Sequence, residues 1–236
     1  MLFFIAFTIS LSIVHGHSWV ERVYVVKEGV LVGKPGFPRG YVQRTPTFTD
    51  QDMTYLLPPA GRMENKILPS DLACKETQRN KNYTVHSPML VVRPNDHIRL
   101  LYQENGHVTR IKDDPNRKGT SGTVTVVGTR HGTSTDTLQD ILDSNSARHH
   151  ATTHISNFDD GVCYQANGTP EALKRQRQSQ RPRLEVEGPD LWCGQDFLVP
   201  GSLKARDVYT MYWIWNFDGF ASTERYTTCL DVLVSD

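Results

Sequence analysis

The sequence shows no excess charge of either sign. Its 236 residues carry 26 basic and 26 acidic side chains, so the formal net charge is zero. Such a balance offers no electrostatic footprint for nucleic acid or an anionic bilayer, and neither partner is expected. Beyond residue 16 no stretch approaches the run of about 20 apolar residues that spans a membrane. The end of the chain, Val232 to Asp236, has no spacer and apolar tail of a lipid-anchor signal. There is no internal repeat, no long amphipathic helix and no appended carbohydrate-binding module. Cysteine is scarce: Cys74, Cys163, Cys193 and Cys229 are the only four. They lack the close paired spacing of a zinc knuckle. In a secreted chain an even count suggests two disulfides, and four cysteines allow three pairings.

What is present begins at the N-terminus. Residues 1–16 read MLFFIAFTISLSIVHG, an apolar run with no acidic residue. Val14 and Gly16 occupy the −3 and −1 positions of a cleavage after Gly16. This is the pattern of a secretory signal peptide, without the usual Lys or Arg near Met1. Residues 1–16 are therefore expected to be a signal peptide. Residues 17–236 are expected to form one domain of a secreted, extracellular, monomeric protein. The sequons Asn82-Tyr83-Thr84 and Asn167-Gly168-Thr169 fit a secreted glycoprotein.

Cleavage after Gly16 makes His17 the first residue. It then carries a free α-amine and an imidazole on one residue, and the two can chelate one metal ion. An internal histidine cannot do this.

Along the chain, Trp19–Val26 is β-branched and aromatic and reads as a strand. Gly33–Arg44 is punctuated by Gly and Pro and reads as loop. Its Phe37 and Tyr41 either stack on a sugar ring or cap the core edge. Pro46–Ser70 also reads as loop. Met89–Val92 reads as a strand. Ile98, Leu100 and Tyr102 alternate with more polar positions, the mark of a half-buried strand. Asn105-Gly106 signals a turn, after which His107 is expected to start a new strand.

Thr123–Val127 is a short strand, and Thr137–Ser144 suggests a short helix. Asn145–Phe158 is polar and rich in histidine. Lys174–Arg183 (KRQRQSQRPR) reads as a solvated or mobile loop, or as a polyanion-binding patch. Val208–Phe217 is the strongest strand, with Tyr209, Met211, Trp213, Trp215 and Phe217 on one face. Tyr226–Val234 is the last. Short strands between Gly/Pro loops indicate an all-β sandwich with long loops.

Eight of the nine histidines lie beyond the leader, and two constellations compete. One is His17 with His107. The other is His149-His150-Ala151-Thr152-Thr153-His154. There His150 and His154 would meet on a helix and could hold zinc. The Glu of a zinc-protease helix is missing, and Thr152 and Thr153 disfavour helix. A solvated loop is the expected state of that segment.

Three segments together resemble the copper-dependent lytic polysaccharide monooxygenases, the fungal type with a histidine brace. His17-Ser18-Trp19 is similar to their mature N-terminus. Cys74, Val91–Tyr102 and Gly106-His107-Val108-Thr109 are similar to their Cys, strand and second-His turn. Trp213-Ile214-Trp215-Asn216 and Glu224-Arg225-Tyr226-Thr227-Thr228-Cys229 are similar to their closing strands. Lys112–Pro189 matches nothing in that pattern.

The resemblance implies an immunoglobulin-like or fibronectin III-like sandwich and one copper per chain. His17 and His107 would bind the copper through three nitrogens, with Tyr226 axial. Glu224 would stand beside the open position, so Glu224 and Tyr226 are the expected catalytic residues. Imidazole and a tetragonal donor set suit Cu(II). The resemblance further implies a Cys74–Cys229 disulfide, which leaves Cys163 with Cys193. A counterpart of the family's outer-sphere histidine is not evident, although His131 or His154 could supply one.

The expected activity is oxidative cleavage of chitin, cellulose or hemicellulose. The partners would be a polysaccharide surface and an external electron donor or peroxide. The alternatives are a secreted brace protein that only binds copper, and a metal-free cell-surface binding domain.

Overall fold

A computed structural model describes residues 16–117, 119–143 and 152–236. Its frame is ten strands in two sheets. The first sheet has the order β2-β1-β5-β8, from β1 (Val20–Lys27), β2 (Val30–Gly36), β5 (His97–Tyr102) and β8 (Cys193–Leu198). The second has the order β3-β10-β9-β6-β7. Its members are β3 (Leu56–Leu57), β6 (Thr123–Thr129), β7 (Thr152–Asn157), β9 (Val208–Asn216) and β10 (Arg225–Val234). Strand β4 (Leu90–Val92) adds to β10 in parallel, and the other pairings between strands are antiparallel. The chain is an all-β sandwich. Its short helices are α1 (Asp50–Met53), α2 (Leu138–Leu142) and α3 (Pro170–Gln178).

Alternation builds the core. Tyr209, Met211, Trp213, Trp215 and Phe217 all face the cluster between the sheets, where they meet Val23, Leu100, Tyr102 and Phe197. The intervening Tyr212 and Ile214 are buried too, in a second cluster with Leu57, Ala73, Leu138 and Ile141. The loop before β4 and helix α2 therefore cover the outer face of β9. This explains why β9 reads as an unbroken apolar run.

Both disulfides match the implied pairing. Cys74–Cys229 joins the covering loop to β10, and Cys163–Cys193 ties a loop to the start of β8.

Several segments expected as loop carry structure. Strand β2 occupies the start of the Gly/Pro-rich segment, and β7 runs through the histidine-rich one. β7 is an edge strand, and Thr153, His154 and Ile155 are exposed on it. Its alternation is therefore not selected by burial. Helix α3 takes in the first half of the basic run. Thr169 caps it through its side chain, Pro170 opens its first turn, and Arg175 pairs with Glu171 one turn back. His107 sits in a turn followed by a 3₁₀ turn at Ile111–Asp113, not in a strand. Among the described residues no helix is long and apolar enough to cross a membrane.

Candidate metal centre

The site lies at one end of the sandwich, where β1 begins and β5 ends. β1 and β5 are antiparallel, with Val20 opposite Tyr102. The residue ahead of β1 thus meets the turn after β5. That turn is Asn105-Gly106, with φ of 48° and 82°. Both values are in the left-handed region, which asparagine and glycine tolerate best. The turn closes with the His107 N–H donating to the Glu104 carbonyl at 2.7 Å. The Asn105 side chain donates to the His17 carbonyl at 2.6 Å, and Ser18 Oγ donates to the Gln103 carbonyl at 2.8 Å. The entering chain is pinned from both sides.

These ties set the His17 backbone nitrogen 3.4 Å from His107 Nε2, with the two rings edge to face at 5.3 Å. Two nitrogens bound to one ion at about 2.0–2.1 Å can be no more than about 4 Å apart. The observed separation falls within that span. His17 Nε2 faces the Asp50 carboxylate of α1 at 3.5 Å. That contact would orient the imidazole through the nitrogen remote from the backbone.

His107 is 5% exposed and packs against Trp215 and Phe217, at 5.2 and 5.0 Å between ring centroids. Burial pushes its pKa down to about 3, and the nearby His17 and Arg117 add to the shift. The ring is neutral near pH 7. A neutral imidazole nitrogen is what a metal ligand requires. The two imidazoles are nitrogen donors of the kind that suit copper.

Tyr226 is fully buried against Trp215, 5.1 Å between rings. Its hydroxyl donates to Glu224 Oε2 at 2.8 Å. Burial, then the Glu224 charge and hydrogen bond, push its pKa far up, so it stays a neutral phenol. Glu224 directly precedes β10, is 3% exposed, and shares the Tyr226 face. Its Oε1 accepts from Arg117 at 2.7 Å and from Ser222 at 3.3 Å. The Arg117 guanidinium lies 4.0 Å over the Phe217 ring. The structure therefore brings His17 and His107 together, sets Tyr226 on the Trp215 ring that His107 also packs against, and joins Glu224 to Tyr226 through the hydroxyl.

Gly16 sits among the same side chains. A Cβ there would lie 2.9 Å from Phe217, 2.9 Å from Tyr226 and 3.1 Å from Trp215. Only glycine fits without displacing those rings.

Among the described residues the other histidines do not join this group. His149 and His150 lie outside the described residues. His154 is exposed on β7 opposite Val126. His131 is exposed just past the end of β6 remote from Phe217, since Thr129 pairs with Thr210 while Thr123 pairs with Asn216. Asp160, Cys163 and Cys193 cluster like metal ligands, but the two sulfurs are bonded to each other. Phe37 and Tyr41 pack tilted against one another under Arg22.

Three residues at the site were not singled out from sequence. Arg117 lies in a polar turn and Asp50 in a loop-like stretch, and nothing local marks either. Glu104 immediately precedes the Asn-Gly turn, and that position is its only signal.

The fold and the site define a β-sandwich protein with a pair of facing histidines at one end. The chain belongs to the family described as a domain of unknown function, DUF7492, whose profile matches residues 14–236. No curated protein matches it. Among solved structures it is similar to CvAA9A, 14% identical over 93% of this chain and 78% of that one, at a TM-score of 0.41. It is also similar to HiLPMO9B, 12% identical over 93% of this chain and 79% of that one, at a TM-score of 0.43.

Proposed function

We propose that this chain, cut after Gly16 and secreted, is a copper-dependent monooxygenase acting on an insoluble polysaccharide. An external electron donor or peroxide would drive it. The observation that carries the reading is the His17 nitrogen facing His107 Nε2 at 3.4 Å. In the uncut chain that nitrogen is an amide, whose N–H donates and whose lone pair is delocalised. Cleavage would make it an amine with a lone pair to give. The amine and His17 Nδ1 would close a six-membered chelate ring, and His107 Nε2 would add the third nitrogen. Removing Gly16 would also clear the space between Phe217, Tyr226 and Trp215.

Bound copper would supply the one-electron and oxygen chemistry, as tetragonal nitrogen sites do. The chain's own side chains do the rest. His17 and His107 bind. Asp50 orients the His17 ring. Tyr226 would stand near the ion as a neutral phenol, and Trp215 and Phe217 exclude water around His107. Glu224 accepts the Tyr226 proton donor at Oε2 and is the group assigned to hydrogen bonding at the oxygen position. Arg117 balances its charge.

A second reading, a copper-binding protein that cuts nothing, is favoured by one observation. Both Glu224 oxygens are already engaged, by Arg117 and Ser222 on one side and Tyr226 on the other. The two readings separate on copper-loaded, His17-started protein with ascorbate and peroxide over insoluble glucan, chitin and xylan. Oxidised oligosaccharides support the monooxygenase. Their absence from all three polymers, with copper bound, supports the carrier.

A further inference from the structure

We propose that Glu104 is the positioning residue of the metal centre, holding the His107 turn in its binding shape. Glu104 follows β5, and its side chain is buried, 2% exposed. Oε2 accepts the Val108 N–H at 2.7 Å and the Thr109 N–H at 3.3 Å. Oε1 accepts the Gln165 N–H at 2.7 Å and the Thr109 hydroxyl. Its own carbonyl accepts the His107 N–H at 2.7 Å. One residue therefore grips the turn before and after His107.

No Lys, Arg or His pairs with Glu104 among the described residues. Four donors converge on the carboxylate instead, and three of them are backbone N–H groups. A charged acceptor makes such bonds about twice as strong as a neutral one. An amide here would turn an NH₂ toward N–H groups.

The grip extends outward. Gln165 belongs to the loop closed by Cys163–Cys193. From that loop Asn167 Nδ2 donates to Thr109 Oγ1 at 2.8 Å, and Thr169 Oγ1 donates to the Thr109 carbonyl at 3.3 Å. The Asn105-Gly106 pair suits the positive φ values of the turn, and Glu104 fixes how the turn is joined to the chain after His107. Glu104 thus links the disulfide-closed loop to the nitrogen that faces His17. Groups that orient a metal-ligating histidine typically matter by 10–100-fold in metal affinity.

The role of Glu104 toward a metal rests on the copper reading, so the test measures the metal-free protein as well. Glu104→Gln and Glu104→Asp are made in His17-started protein. Copper(II) affinity, the copper EPR spectrum, the His107 ring NMR signals of the metal-free protein and thermal unfolding are recorded. Glu104→Gln is expected to weaken copper by about 10–100-fold, change the nitrogen hyperfine pattern, and shift or broaden the His107 signals while the sandwich stays folded. Glu104→Asp, which keeps the charge but shortens the reach, is expected to fall between Gln and wild type, and stands in if the Gln variant does not fold. Unmoved His107 signals with wild-type copper affinity in the folded variants would overturn the proposal. If wild type binds no copper yet the His107 signals move, the positioning role stands and the copper reading falls.

Discussion

His107 shows how far one residue's surroundings set its chemistry. Its pKa is about 3 in the fold, against about 6.5 in an unfolded chain. Below pH 6.5 the unfolded chain takes up a proton that the folded chain refuses. Stability of the metal-free protein should therefore be highest above pH 6.5 and fall as pH drops toward 3, by up to about 1.4 kcal/mol per unit from this group. His107→Ala should flatten that part of the curve, as urea unfolding across the range would show. The same substitution should remove most copper binding, while His154→Ala on exposed β7 should remove little. Equal losses by titration would point to a site that includes His154 instead. Glu224 needs a gentler probe than alanine. Its Arg117 partner is 2% exposed at the side chain. Truncating one member of such a pair costs about 3–5 kcal/mol, and among the described residues only the Asp114 carboxylate, at 3.5 Å, would remain beside Arg117. Glu224→Gln also removes the charge but keeps the shape and an oxygen that accepts from Arg117. On the monooxygenase reading it should leave copper affinity within a few-fold and cut peroxide-driven turnover, by about 100-fold if it removes one preorganised contact. Turnover equal to wild type would remove Glu224 from the chemistry.

At the scale of elements, legibility in the sequence followed burial. β1, β5, β6, β9 and β10 stand out because one or both faces are buried, and burial selects the β-branched and aromatic residues that mark strands. β8 is harder to see. Cys193, Gln195 and Phe197 face inward, but Gly194 and Asp196 between them read as turn residues. β7 hides because its exposed side chains are under no apolar selection. α3 did carry a start signal, Thr169-Pro170-Glu171, which the basic run after it obscured. His17, His107 and Tyr226 were legible through short motifs. The ties that hold them were not, because Asp50 and Arg117 reach the site through tertiary packing, and nothing in the sequence tells that the Glu104 side chain turns back onto the N–H groups after His107. The turn that bears His107 is the most sensitive small element. Gly106→Ala would place a Cβ at φ 82°, and such strain costs about 1–3 kcal/mol. Thermal unfolding should register that loss, and copper affinity should fall with it.

For the whole molecule, the central claim is that proteolysis completes the site. In the uncut chain the His17 nitrogen is an amide and Gly16 fills the space beside Tyr226. Secretion and cleavage after Gly16 would then be steps in building the centre. The two disulfides suit an oxidising compartment, and Cys74–Cys229 clamps the covering loop onto β10. Replacing both Cys74 and Cys229 with Ala should cost about 2–5 kcal/mol in chemical unfolding. It should leave the donor set intact, because both cysteines belong to the outer-face cluster, whereas Trp215, Phe217 and Tyr226 face the core between the sheets. The most direct measurement is a copper(II) titration, with EPR, of two purified forms, one beginning at His17 and one retaining Gly16. The His17 form is predicted to take one copper tightly, with coupling to three nitrogens, and the Gly16 form to lose that site. Equal binding and equal spectra in the two forms would contradict the account.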